Sequence, residues 1–506
     1  MKNKLVNKAF VLVATAMATS LLSAEDLLLN GDHTVTVGAG STQTISDKVT
    51  GPGRIILLGG GTLVLSNSAN DFTGGVIVSN GVLRADASGA FGTGPISLEG
   101  TAQIRTVQFN ATKGVFPNSI TLKDKTSSST YPAVHAMQPT TLNGDIVMDP
   151  ALAAQSNSNS LYLSIDKSML EGDTYTAMMD VKGECNVGNG MLILAGGSDD
   201  NVHVAYYRLY GKITAGRCTA GNNVNRKGAV YLYNSDNSIV ELRIETFNLH
   251  CGAENVFYGA TVQFNYNWQW GGNRSQGRLY CDGYNQTARY FHSGTSVAVN
   301  PNISRNDNDA TVASDNLSLN RSAVITFIGK SNANSYPNAY TRLIGNLSVV
   351  VDKLPDALET HQRFCYFENT MTGDLTVKGG NLELKAGVTF PNVKNVNISG
   401  GRLYMQGVTN ALPSLAKMTV SGGSFKCDAN CVNPVSNGLA DMVLSGEGQL
   451  NFGNGITNTV RKLFVNGEYM PAGIYTKSNF SAMESSHESA ALVVLRGRAG
   501  AFLVVR

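Results

Sequence analysis

Both tryptophans of this chain lie in one ten-residue stretch, TVQFNYNWQW (261–270), whose alternation is the first feature with chemical content. Val262, Phe264, Tyr266, Trp268 and Trp270 share one parity, and Gln263, Asn265, Asn267 and Gln269 share the other. Successive side chains of an extended chain point to opposite faces, so the stretch has an aromatic face and an amide face. Flat aromatic rings bind sugar rings through apolar CH contact, and neighbouring amides bond hydroxyls. Tyr266, Trp268 and Trp270 are therefore candidate glycan contacts, and Tyr206, Tyr207, Tyr210, Tyr231 and Tyr233 lie in the same third of the chain. The competing reading, which the residue types favour, packs the row inward and turns the amides to water, because unpaired amides are costly to bury.

Other chemistry is sparse. There is no Gly-x-Ser-x-Gly elbow, no His-Glu-x-x-His and no complete Gly-x-x-x-x-Gly-Lys-Ser/Thr phosphate loop. His33, His135, His203, His250, His292, His361 and His487 are scattered singly. GGSDDN (196–201) and RNDNDA (305–310) put carboxylates in loops, but calcium needs six to eight oxygens and neither stretch holds a full set. No metal and no cofactor is expected. Asp180, Asp199 and Asp200 could converge with Arg208 or Arg217 only if folding brings distant segments together.

Cysteine is confined to Cys185, Cys218, Cys251, Cys281, Cys365, Cys427 and Cys431. Seven is odd, so at least one thiol stays free or pairs between chains. The first three are spaced by 33 residues, which would suit equivalent positions in successive structural units. Cys427 and Cys431 are close enough for a local disulfide in an oxidising compartment. With no Cys-x-x-Cys pair a zinc site is poorly supported, and most of these residues also suit a role as small buried hydrophobes.

The elements that would carry such residues are short strands. Among 506 residues there are 54 glycines, 15% charged residues and a formal charge of +2, so nothing in the balance calls for nucleic acid. LGGGTLVLS (58–66), VSNGVLRAD (78–86) and LEGTAQIRT (98–106) each join a glycine turn to an alternating strand, and the phrase returns in VKGGNLELK (377–385), ISGGRLYMQ (398–406), VSGGSFKCD (420–428) and LSGEGQLNF (444–452). A unit of about 20 residues cannot bury its apolar face alone, so each must stack on the last. The expected fold is all-β: a right-handed parallel β-helix with coils of about 20–24 residues and a small C-terminal β cap. A β-sandwich is the alternative, but it predicts no such phrase at fixed spacing.

At the amino end, Lys2, Lys4 and Lys8 precede the apolar run AFVLVATAMATSLL, which reads as an export signal cleaved after Ala24. No later apolar stretch approaches membrane-spanning length, so the mature chain is expected to have no transmembrane segment.

The stretch 59–100 resembles the autotransporter-associated β-strand repeat. Asn70, Phe72, Thr73, Gly74 and Gly75 match its turn; Asn80, Gly81 and Leu83 its second strand; Ala90 to Gly94 and Ile96 its closure. Weaker echoes are Asn234, Asn237 and Phe257 in 230–262, and Asp282 to Thr287 in 279–299, which is similar to a GYNQT segment of such proteins. KLFVNGEYMPAGIYT with GAFLVVR (462–506) resembles a terminal piece of large secreted proteins of this type. The resemblance implies a passenger-like body, exported to the outside or the cell surface of a Gram-negative-type bacterium. The residues after 456 leave room for only a few strands, so no autotransporter barrel is expected.

The expected organisation is a signal peptide at 1–24, clear repeat coils at 25–120, irregular coils at 121–170, central aromatic and cysteine-bearing coils at 171–300, further coils at 301–455 and a cap at 456–506. The expected role is structural or adhesin-like, with polysaccharide or cell-surface glycans as partners and no catalysis. The alternative is a polysaccharide lyase or glycoside hydrolase, since β-helices also bring catalytic groups together across coils.

Overall fold

The computed structural model describes residues 26–496 apart from 125–131, 156–158, 167–176, 197–204, 222–227, 246, 265–277, 294–309, 314–321, 330–337, 340, 354–360, 365–368, 436–437 and 485–486. The chain is a parallel β-solenoid of about 14 turns with almost no helix. One sheet of 25 strands runs from Asp32–Thr36 to the carboxyl-terminal coils. A nine-strand sheet extends from Gly114–Phe116 to Thr341–Ile344, and a six-strand sheet from Asn338–Ala339 to Gln449–Phe452. Among the described residues the only antiparallel strand pairs are at the carboxyl end, where Lys462–Val465 meets Glu468–Tyr469 and Gly473–Tyr475 meets Ala491–Val494. These short hairpins form the expected cap.

Alternation in the sequence becomes stacking in the column. Leu63, Leu83, Val107, Val134 and Leu163 follow one another in register on successive coils, all fully buried. Farther along, Phe264, Phe291, Phe327, Phe364 and Phe390 pack edge to face in one file, with centroids 4.8–6.2 Å apart. No coil could hide these groups alone; each is covered by the coil above and below. The repeated GG phrase marks a corner with no room for a side chain. A Cβ on Gly401 would lie 2.1 Å from the carbonyl oxygen of Gly380, and one on Gly423 2.1 Å from that of Gly401.

The recurring amides of the repeat clamp neighbouring coils. Asn70 Oδ1 accepts from Val49 N at 2.7 Å, and its Nδ2 donates to the Ala90 carbonyl at 2.7 Å, so one buried side chain ties three coils. Asn67, three residues earlier, donates to the Ser46 carbonyl and accepts from Ala69 N. The weak echo at 234–237 does the same work. Asn237 accepts from Ile213 N and donates to the Val256 carbonyl, while Asn234 donates to the Tyr210 carbonyl and accepts from Asp236 N. In the GYNQT segment the longer Gln286 ties its own coil to the preceding one, accepting from Val256 N and donating to the Ala253 carbonyl.

Coil length varies more than the terminal repeats imply. Thr62 pairs with Val82, Leu403 with Phe425 and Leu161 with Leu192, so single coils consume 20, 22 and 31 residues. For this reason the 33-residue cysteine spacing does not mark equivalent positions. Cys185 pairs with Ile213 and Cys218 with Leu192, both on the long sheet, whereas Cys251 pairs with Leu232 on the second sheet. Cys427 and Cys431 are both buried thiols, hydrogen-bonded side chain to side chain. Cys365 lies outside the described residues.

Candidate functional site: an aromatic strip on the second sheet

The strands Ala177–Val181, Ala205–Leu209, Gly228–Leu232, Phe247–Cys251 and Leu279–Tyr280 stack in parallel register. Their alternation sends Met179, Tyr207, Val230, Leu249 and Leu279 inward, all fully buried. The intervening positions point outward and form a single file by register: Asp180, Arg208, Tyr231, His250 and Tyr280. One step beyond the strand ends, Tyr210, Tyr233 and Gly252 form a second file, their amides donating to the carbonyls of Val181, Leu209 and Leu232.

The rings stack along the column. Tyr231 and His250 have centroids 4.4 Å apart and planes 16° apart; His250 and Tyr280 are at 4.6 Å and 7°. Tyr210 and Tyr233 are at 4.6 Å and 7°, and the ammonium of Lys182 sits 3.1 Å from the Tyr210 centroid. Coils of a parallel sheet repeat at about 4.8 Å, nearly the thickness of a stacked aromatic pair, so in-register rings meet face to face without backbone adjustment. Tyr206 joins at a looser 6.3 Å from Tyr231. Faces within the stack are covered by their neighbours, so the strip presents ring edges along its length.

Polar groups frame the rings. Arg208 grips Asp180 through two bonds of 2.6 and 2.5 Å, which raises the guanidinium pKa further. His250 Nδ1 lies 2.9 Å from Asp282 Oδ2, which orients the imidazole between its two tyrosines. Burial pushes the Tyr231 and Tyr233 phenols above their ordinary pKa, so both remain neutral hydroxyls at physiological pH. Arg208 is paired with Asp180, Asp282 faces His250 and Lys182 caps Tyr210, so charges of both signs frame a half-buried strip of hydroxyls and ring edges.

The candidates named from residue type and spacing divide. Tyr206, Tyr210, Tyr231 and Tyr233 reach the strip, but Tyr207 is core: its hydroxyl donates to the carbonyls of Leu163, at 2.9 Å, and Ala195. The aromatic row begins as strand Ala260–Phe264, with Val262 and Phe264 buried and Gln263 half-buried. Tyr266, Trp268 and Trp270 lie outside the described residues, as do Asp199 and Asp200. Asp180 and Arg208 do converge, as an ion pair; Arg217 instead pairs with Glu241 at 3.1 Å. By type alone, His250 and Tyr280 do not stand out from other single residues. A signal exists in the recurring phrase Leu-His-Cys (249–251) and Leu-Tyr-Cys (279–281), where an aromatic ring stands between two inward apolar positions. Among the described residues no group of three or more His, Cys, Asp or Glu could hold a metal ion, and no helix is long and apolar enough to cross a membrane.

No solved structure matches the chain. Over 64 residues, 13% of this chain, the sequence is 50% identical to the adhesin BmaC autotransporter of Brucella suis biovar 1 (strain 1330). That match covers 2% of the relative, so the chain spans only a small part of its length. Residues 55–85 match the passenger-associated-transport-repeat family, and these residues lie within the first coils of the parallel solenoid.

Proposed function

We propose that this chain is an exported β-solenoid of adhesin-like role, displayed at or released from a Gram-negative-type cell surface, and that the tyrosine–histidine strip is its glycan-contacting face. The passenger repeat and the local identity to an autotransporter adhesin support the adhesin-like role. The glycan reading rests on one observation: Tyr231, His250 and Tyr280 line up on successive coils, with Tyr210 and Tyr233 beside them. A strip made of neutral hydroxyls and aromatic edges, framed by charges of both signs, suits a polyhydroxylated chain lying along the column. Tyr266, Trp268 and Trp270 enter the same proposal from their residue types alone.

Contact is favoured over cleavage by the same geometry. Asp180 is committed to Arg208 and Asp282 to His250, and the His250 ring is covered on both faces by Tyr231 and Tyr280. The test is retention of the purified chain on a panel of immobilised polysaccharides, alongside an assay for released reducing ends or unsaturated sugars. Binding without release supports the proposal. Release of products overturns it in favour of a polysaccharide-cleaving enzyme, and retention on none of the panel removes the glycan reading.

A further inference from the structure

Cys251 ends the strand Phe247–Cys251, and Cys281 directly follows the strand Leu279–Tyr280. Leu249 is in register with Leu279 and His250 with Tyr280, so the next step along both chains brings Cys251 opposite Cys281. The Tyr284 amide donates to the Cys281 carbonyl at 2.9 Å, which holds the turn that follows. On the outward side, the His250 to Asp282 hydrogen bond locks the same two coils together. Both sulfur-bearing side chains are fully buried and hydrogen-bonded to each other. Parallel neighbours lie about 4.8 Å apart, within the roughly 4.4–6.8 Å Cα separation that a disulfide spans.

We propose that Cys251 and Cys281 form a disulfide across adjacent coils when the chain folds in an oxidising compartment. The bond would close a loop whose sequence includes the strand Ala260–Phe264. The inference draws on the export reading for its oxidant, a small or protein disulfide of the exchange class. One cysteine thiolate attacks that disulfide and displaces a first thiolate, giving a mixed disulfide. The second cysteine thiolate then attacks its own partner's sulfur and displaces the other thiolate. The two protons from the cysteines end on the two released thiols, and the two electrons pass to the oxidant. Burial pushes the Cys251 thiol well above its ordinary pKa, so exchange belongs to the stage before the next coil closes over the pair.

The experiment reads the linkage on the full wild-type chain. Protein isolated in its folded state from secreting cells, and protein refolded from the reduced chain in a glutathione redox buffer, are quenched with N-ethylmaleimide in denaturant, so that every free thiol is reached. Both are then digested without reduction for mass spectrometry. The expected result is a linked peptide pair containing Cys251 and Cys281, two hydrogens lighter than its separate parts and lost on reduction. In Cys251→Ser the remaining Cys281 peptide should carry the maleimide. Maleimide on both cysteines of the wild type, or linkage of Cys251 to any other cysteine, overturns the proposal. Cell fractionation tests export separately: a linked pair in the refolded chain together with a cytoplasmic location would sink the export reading and leave the disulfide standing. The same digest reads whether Cys427 and Cys431 are bridged.

Discussion

The phenol ring of Tyr233 lies against the backbone of Gly252 in the next coil. A Cβ added to Gly252 would come within 2.3 Å of the ring's Cδ1 and 2.5 Å of its Cε1. Gly252 is not in the left-handed region, so the requirement is one of space alone. Gly252→Ala should force the ring from its stack with Tyr210 and destabilise the fold by about 1–3 kcal/mol, the usual cost of overpacking. Denaturant unfolding measures this. Because the clash is with one ring, adding Tyr233→Ala should recover part of the loss, and strictly additive effects would refute the contact.

Asn70 and Asn237 occupy equivalent corners, each tying the coil below to the coil above. Alanine at either position orphans a buried amide and a buried carbonyl. The expected cost is roughly 2–6 kcal/mol, from about 1–3 for each of the two unsatisfied groups. Asn70→Asp keeps the acceptor for Val49 but loses the donor to Ala90, so it should also be destabilising. Urea titration of the three variants would check the order, and a neutral Asn237→Ala would show that the echo is only sequence-deep.

His135 gives the fold a mild acid sensitivity. Burial holds its imidazole below the ordinary value of 6.5, with the Asp166 carboxylate opposing the shift. The unfolded chain therefore binds the proton more readily than the folded one. This contribution is complete above about pH 6.5 and is lost as pH falls from there towards the folded-state pKa. The unfolding free energy from urea titration should drop further between about pH 7.5 and 5.5 in the wild type than in His135→Gln, by a difference under about 1.5 kcal/mol. Parallel pH profiles for the two proteins would contradict this.

If the strip binds glycan, Tyr231→Ala should weaken retention roughly ten-fold, the factor that corresponds to about 1.4 kcal/mol. Tyr404→Ala serves as the control, since that ring lies on the six-strand sheet between Arg402 and Lys426, away from the strip. Circular dichroism should be unchanged in both. Equal losses for the two variants would point to a general effect on the column rather than to a binding face.

The sequence alone determined the column. Gly380, Gly401 and Gly423 recur because each turns a corner in the left-handed region, and at Gly401 and Gly423 the preceding coil's backbone also leaves no room for Cβ. The Asn70 amide has a counterpart in Asn237 because one amide can bond to both neighbouring coils. Such constraints repeat once per coil, and repetition is visible without coordinates. The strip was not legible in the same way. Tyr206 and Tyr207 are adjacent and of one type, yet one faces out and the other bonds into the core. Tyr231, His250 and Tyr280 meet because coils of unequal length are brought into register by their strands. Where an inserted stretch lengthens a coil, sequence distance stops reporting spatial neighbours, as the 33-residue cysteine spacing shows. Only the stacked backbone decides which side chain stands above which.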